Sequence, residues 1–117
     1  MVDRALKAKV RGELFRCAAA GQFVTYTEFF NRIRPGTPMG SFPYQTHFDE
    51  IAKEERNNGY PDITFLVHRT GQRPQYPAQI DFRPADPPDQ QQLDSLRKGA
   101  DGIIAMYCPP NTANPYR

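Results

Sequence analysis

Apolar residues recur at helical spacing near the start of the chain. Successive members of this stripe are four, four and three residues apart, and they are Leu6, Val10, Leu14 and Cys17. Such spacing places side chains on one face of an α-helix. Gly21 follows and supplies the left-handed residue that often ends a helix. We therefore predict an amphipathic helix within residues 3–21.

A second and a third helix are predicted from their start and stop signals. Thr25 is followed three residues later by Glu28, the spacing of a capping box, and Pro35 closes this second helix. Its inward side chains would be Phe29, Phe30 and Ile33. Pro43 then suits the first turn of a third helix, and Gly59 suits its end. The buried stripe of the third helix would be Tyr44, Phe48, Ile51 and Ala52.

Two later segments, ITFLVHR (63–69) and AQIDFR (78–83), alternate apolar and polar residues as strands do. The apolar positions are Ile63, Phe65 and Val67 in the first segment and Ala78, Ile80 and Phe82 in the second. The connection contains Pro74 and Pro77, whose nitrogens cannot donate ladder hydrogen bonds, so it should project as a stiffened loop. We predict that the two segments form an antiparallel hairpin.

The last part of the chain predicts a helix followed by a tail. Apolar residues after Leu93 recur at helical spacing, although two glycines weaken the pattern. A helix to about Lys98 is expected, and beyond it a continued helix and a third strand, GIIAMY, are alternatives. The predicted organisation is one domain over residues 1–108 with a flexible C-terminal tail over 109–117.

These elements define an α+β fold class. Three helices, a two-stranded antiparallel hairpin and a C-terminal helix follow one another in the order of a winged helix. The length of 117 residues fits a single domain with a core that needs no disulfides.

Charge is mild overall and uneven along the chain. The formal net charge is +2, but residues 1–34 carry seven Lys or Arg against three Asp or Glu. Arg4, Lys7 and Arg11 form a stripe beside the apolar face of the first helix. An anionic partner would be attracted there, unless these charges only solvate a helix face.

Several sequence features favour a cytoplasmic protein without metal or cofactor. Apolar runs fall far short of the roughly 20 residues that cross a bilayer, and the N-terminal residues are too charged for a signal peptide. Cys17 and Cys108 form no C-x-x-C pair, so neither a disulfide framework nor a zinc site is expected. His47 and His68 lack the three or four ligands that zinc needs.

The segment VTYTEFFNRI resembles the start of the helix-turn-helix part of alkyltransferase-like DNA-binding domains. In that family a Thr-Tyr-x-Glu stretch, here Thr25 to Glu28, opens the helix before the recognition helix. The resemblance covers roughly residues 23–70. The Pro-Cys-His-Arg signature that accepts the alkyl group is absent, so that enzymatic activity is not implied. What the resemblance implies is a non-enzymatic, regulatory DNA-binding module.

In this resemblance the third helix is the recognition helix and the hairpin tip is the wing. Early residues of the helix would meet bases, and the wing would lie along a phosphate backbone. Acidic residues later in the helix would repel phosphates, so the helix start and the wing would carry the affinity. The predicted nucleic-acid-binding residues are Arg4, Lys7, Arg11, Tyr44, Gln45, Thr46, Arg69, Gln72 and Arg73.

Two other functions stay open from the sequence. The same scaffold could grip a protein partner as an adaptor or inhibitor, because the mixed charges of the third helix suit either use. A metal-dependent nuclease would hold magnesium between Asp62 and Asp81, but Arg83 stands where a lysine usually polarises the attacking water. Arginine stays protonated and serves that role poorly. A homodimer formed through the first helix or the tail is a further alternative.

Overall fold

Four α-helices dominate the computed structural model, which describes residues 3–33, 44–68, 76–77 and 89–117. In chain order the elements are α1 (Arg4–Ala20), β1 (Val24–Thr25), α2 (Tyr26–Ile33), α3 (Tyr44–Asn57), a 3-10 helix (Ile63–Leu66), β2 (Val67–His68) and α4 (Gln90–Tyr107). In this part of the chain no helix has both the length and the apolar character needed to cross a membrane.

Helix α1 begins and ends at the residues that its sequence indicates. The Asp3 side chain accepts hydrogen bonds from the backbone N–H groups of Ala5 and Leu6. Gly21 adopts the left-handed conformation with φ of 67°, and its N–H bonds to the carbonyl of Ala18. The predicted stripe, including Cys17, is buried, so the first helix is confirmed.

Helices α2 and α3 meet over a cluster of aromatic rings. The hydroxyl of Thr25 accepts a hydrogen bond from the N–H of Glu28 at 3.1 Å, which caps α2 as predicted. Phe29 and Phe30 of α2 pack on Phe48 of α3, with ring centroids 5.9 and 5.5 Å apart. Phe48 and Ile51 are fully buried, so both helices face the core through the sides that their spacing predicts.

The predicted antiparallel hairpin is wrong, and with it the α+β fold class of winged-helix type. In the described residues of the first predicted segment, Ile63–Leu66 is a 3-10 helix and Val67–His68 is a short strand. This strand pairs in parallel with β1, so that Val67 lies opposite Val24. One isolated antiparallel bridge joins His68 to Pro77, while residues 78–83 of the second predicted strand lie outside the described residues.

The reason for this difference is the capping of the 3-10 helix. The Asp62 carboxylate accepts hydrogen bonds from both the N–H and the hydroxyl of Thr64, at 3.0 and 2.5 Å. Ile63 and Leu66, three residues apart, both point into the core, as the three-residue turn of a 3-10 helix requires. A short apolar run therefore fits this period as well as it fits strand alternation.

Helix α4 continues to Tyr107, so the helical alternative is right and residues 102–107 are not a strand. Asp89 and Gln92 form a reciprocal capping box at its start. Gly99 allows close packing, because a Cβ at this position would lie 2.8 Å from the ring of Phe65. Gly99, one of the two glycines that weaken the helical pattern, thus lets α4 approach the 3-10 helix.

The residues after α4, predicted as a flexible tail, fold back onto the helix. Tyr116 is 7% exposed, and its hydroxyl donates a hydrogen bond to the carbonyl of Phe65 at 2.5 Å. The side-chain amide of Asn114 donates to the carbonyl of Arg97 at 2.9 Å and to Asp101 at 2.8 Å. These bonds, which no periodic pattern reveals, attach the C-terminal segment to α4 and to the 3-10 helix.

Candidate functional site

Two of the predicted nucleic-acid-binding residues lie in an ion-pair network between α1 and α3. Lys7 Nζ contacts Glu50 Oε1 at 2.6 Å and also contacts Glu54. Arg11 contacts Glu54 Oε2 at 2.6 Å and Glu55 Oε1 at 2.7 Å. Residues four apart on each helix share a face, so the two stripes meet along their length. The network holds two cations and three carboxylates.

The pKa values in this network follow from the pairing. The hydrogen bonds that Lys7 donates to Glu50 and then to Glu54 raise the pKa of Lys7 above its ordinary value. The hydrogen bond from Lys7 lowers the pKa of Glu54, and the charge of Arg11 acts in the same direction. Both groups therefore stay charged across the neutral range. Two of the three cations of the α1 stripe, Lys7 and Arg11, are therefore balanced by carboxylates of α3.

Glu55 differs from the other two carboxylates of this network in its burial, and none of these ion pairs was predicted from the sequence. Its side chain is 3% exposed, whereas those of Glu50 and Glu54 are 43% and 38% exposed. Glu55 follows Ile51 by one helical turn and so lies on the buried stripe of α3. A carboxylate at an apolar position is the signal that would have predicted a cationic partner.

Two further predicted nucleic-acid-binding residues, Arg4 and Thr46, have side chains that the structure describes. Arg4 and Thr46 are exposed, on α1 and on the first turn of α3. The side chains of Tyr44 and Gln45 lie outside what the structure describes, and so do Arg69, Gln72 and Arg73. Lys7 and Arg11 are the two that share a neighbour, through Glu54.

The two histidines are buried within the fold. His47 is 1% exposed, and its Nε2 accepts a hydrogen bond from the backbone N–H of Asp3 at 3.1 Å. His47 therefore ties α3 to the start of α1. His68 is buried in β2. Within residues 3–33, 44–68, 76–77 and 89–117, no three His, Cys, Asp or Glu side chains converge to hold a metal ion.

Asp62, the described carboxylate of the nuclease hypothesis, has a structural role as the cap of the 3-10 helix. Burial raises its pKa, and the two hydrogen bonds from Thr64 act against that increase. Its proposed partners, Asp81 and Arg83, lie outside the described residues.

Both cysteines are free thiols with raised pKa values. Burial is the main cause for Cys17, which lies in the core, and also for half-buried Cys108. Arg32 Nη1 lies 3.7 Å from the sulfur of Cys17 and acts in the opposite direction. A thiol that stays protonated is a weak nucleophile, so this chemistry favours packing over catalysis.

A cleft of about 220 Å³ lies where the first turns of α4 meet the C-terminal segment. Its walls are Tyr76, Leu93, Leu96, Arg97, Pro115, Tyr116 and Arg117. Apolar side chains form most of the surface, and two guanidinium groups supply the charge. The sequence reasoning missed this cleft, because nothing in the pattern of residues 109–117 indicates that they return to α4.

The two arginines of the cleft differ in their partners. Arg117 is ion-paired with Asp101, through Nε at 3.1 Å from Oδ2 and also through Nη2. The hydrogen bonds that Asp101 accepts from Arg117 and from Asn114 lower the pKa of Asp101 to about 2. Arg97 donates from Nε to the carbonyl of Tyr116 at 2.8 Å, and its Nη1 lies 3.8 Å from Asp94. That separation exceeds hydrogen-bonding distance.

Comparison with models of known protein families, with curated proteins and with solved structures finds no match to this chain. The resemblance of residues 23–70 to alkyltransferase-like DNA-binding domains therefore stays a prediction. Thr25, which carries that resemblance, caps a helix here.

Proposed function

We propose that this chain is a non-enzymatic module that binds a protein partner, and that the C-terminal cleft receives a side chain of that partner. The cleft itself is the observation that carries the proposal. Two tyrosines and two arginines are among its lining residues, and tyrosine and arginine are enriched at the energetically important positions of protein interfaces.

The α1–α3 network favours a protein partner over nucleic acid. Contact between a phosphate and Lys7 or Arg11 would have to displace carboxylates that lie 2.6–2.7 Å away. The same carboxylates would repel the phosphate, so the electrostatic attraction that dominates nucleic-acid binding is weakened on this face. A protein surface carries both signs of charge and meets no such cost.

The chemistry of the described side chains also supports a binding role. Both thiols are kept protonated, His47 holds the start of α1, and Asp62 caps the 3-10 helix. Each of these groups already has a structural partner or a buried position. A cytoplasmic location is part of the proposal and agrees with two free thiols in one small domain.

Selection from a library of displayed random peptides tests the proposal. The parent protein should enrich a set of peptides, and these peptides should fail to bind the Leu93→Glu variant. The substitution puts a carboxylate into the cleft four residues before Arg97. Ser95→Glu is the matched control, since Ser95 is an exposed residue of the same helix and the charge change is the same. This control should bind the enriched peptides as the parent does.

The nucleic-acid alternative is tested by fluorescence anisotropy, which measures the binding of labelled duplex DNA to the purified protein at low salt. Enriched peptides that bind Leu93→Glu as well as the parent would exclude the cleft as the binding site. Micromolar affinity for duplex DNA that falls steeply with salt would favour the nucleic-acid function instead. Light scattering of the purified protein would show whether a second copy of this chain occupies the cleft.

A further inference from the structure

Arg97 is one of two arginines that line a largely apolar cleft, and its Nε is hydrogen-bonded to the carbonyl of Tyr116. We infer that it makes the cleft selective for a carboxylate next to a large apolar side chain, as found at an acidic residue or a C-terminal residue of a bound peptide segment. This inference rests on the proposed function, since it names the ligand chemistry of the same cleft.

The position of Arg97 is fixed from two sides. Its Nε donates to the carbonyl of Tyr116 at 2.8 Å, and its own carbonyl accepts a hydrogen bond from Asn114 at 2.9 Å. The side chain is 30% exposed. With Nε held, the two terminal nitrogens form the remaining fork, whose geometry matches the two oxygens of a carboxylate. A fork that is already held loses little entropy when a ligand binds.

The charge of Arg97 is less compensated than that of Arg117, the other arginine of the cleft, and than those of Lys7 and Arg11. Asp94, at 3.8 Å, is 54% exposed, and ion pairs in such solvated positions are weak. Arg117 is held by Asp101, and Lys7 and Arg11 are held by three glutamates at shorter distances. A carboxylate that enters the cleft therefore finds its best cationic partner in Arg97.

The apolar walls add the second half of the selectivity. Leu96 and Tyr116 are 4% and 7% exposed, and Leu93 is half-buried beside them. A volume of about 220 Å³ has room for one large apolar side chain. Such a side chain would displace water from the cleft, and an ion pair is stronger where water is excluded. The occupant is thus a carboxylate and an apolar group held close together.

A matched pair of small probes tests the carboxylate directly. N-acetyl-leucine carries a carboxylate, whereas N-acetyl-leucinamide is its uncharged counterpart with the same side chain. In titrations followed by amide chemical shifts of ¹⁵N-labelled protein, N-acetyl-leucine should give saturable shifts at Leu93, Arg97 and Arg117. The amide should bind at least about tenfold more weakly, because it loses a charge-assisted hydrogen-bonded pair.

Variants of Arg97, with controls at two other positions, assign the effect to Arg97. Arg97→Gln should lower the affinity for N-acetyl-leucine by about tenfold or more. Arg97→Lys should recover only part of this affinity, since lysine lacks the planar fork. Arg16→Gln is the control, because Arg16 is an exposed arginine of α1, away from the cleft, and is paired with Glu13 of the same helix. If Arg97→Gln fails to fold, Leu93→Glu should block binding of the acid by occupying Arg97, whereas Leu93→Gln, which loses the same apolar wall without adding a charge, should weaken binding of the acid and the amide alike.

The outcomes separate this inference from the proposed function. Equal binding of the acid and the amide at the cleft would overturn carboxylate selectivity, whereas side-chain binding there would still stand. No shift at the cleft with either probe, together with no peptide that depends on Leu93, would overturn both. Binding of the acid that is unchanged in Arg97→Gln would assign the carboxylate to another residue and reject the role of Arg97.

Discussion

Removal of Arg11 should destabilise the fold far more than removal of Lys7, although both cations lie in the same network. Arg11→Met leaves the carboxylate of Glu55 without the guanidinium that lies 2.7 Å from it. Glu55 is 3% exposed, so water cannot take the place of that partner. Lys7→Met leaves Glu50 and Glu54, which are 43% and 38% exposed and remain hydrated.

The expected magnitudes follow from this difference in exposure. Loss of one partner from a buried ion pair costs about 3–5 kcal/mol, but the side chain of Arg11 is 31% exposed, so we expect about 2 kcal/mol for Arg11→Met. Solvated pairs contribute about 0.5 kcal/mol, which is the cost expected for Lys7→Met. With about 4 °C per kcal/mol in a domain of this size, the two melting temperatures should fall by about 8 °C and about 2 °C.

Urea unfolding followed by circular dichroism measures both variants, and the double variant Arg11→Met/Glu55→Met completes the test. The double variant should recover much of the loss, because apolar side chains of similar volume often replace a buried ion pair at little cost. Equal stability of Arg11→Met and Lys7→Met would refute the reasoning, since Glu55 would then not depend on Arg11. A double variant less stable than Arg11→Met would refute it as well.

Three further predictions concern caps, packing and acid stability. Thr25→Ala should lower the free energy of unfolding by about 1 kcal/mol in urea melts, because the N–H of Glu28 loses its acceptor. Gly99→Ala should destabilise by about 1–3 kcal/mol in the same assay, because the added Cβ would lie 2.8 Å from the ring of Phe65; an unchanged midpoint would show that the helix can shift freely. Asp101, whose pKa is lowered from 3.8 to about 2 by Arg117, should contribute stability that is present above pH 3.8 and lost as the pH falls through 2. Urea melts of Asp101→Asn should therefore differ from those of the parent at pH 6 and converge with them near pH 2, and a constant difference would contradict the ion pair.

The sequence predicts the first three helices and the start of α4 well because their signals are local. Thr25 and Gly21 mark helix ends through hydrogen bonds within a few residues, and the stripe of α1 needs only its own spacing. The sequence predicts a strand where the structure has a 3-10 helix, because the apolar run from Ile63 to Val67 is too short to distinguish the two-residue period of a strand from the three-residue period of a 3-10 helix. Its decisive signal is the Asp62 cap.

The candidate site was out of reach for a different reason. The cleft forms only because residues 115–117 return to the first turns of α4, and the contacts that hold them, such as Tyr116 with Phe65, span 51 residues of sequence. The balanced charge of α1 depends likewise on contacts with α3 across 43 or more residues. Glu55 on a buried stripe was the one local sign of that pairing.

Chemical-shift mapping of an enriched peptide on the ¹⁵N-labelled protein tests the central claim most directly. If the cleft receives a side chain of a protein partner, the peptide should shift the amides of Leu93, Leu96, Arg97, Tyr116 and Arg117 and should leave those of the α1–α3 network unchanged. Shifts confined to α1 and α3, with the amides of the cleft unmoved, would contradict the account.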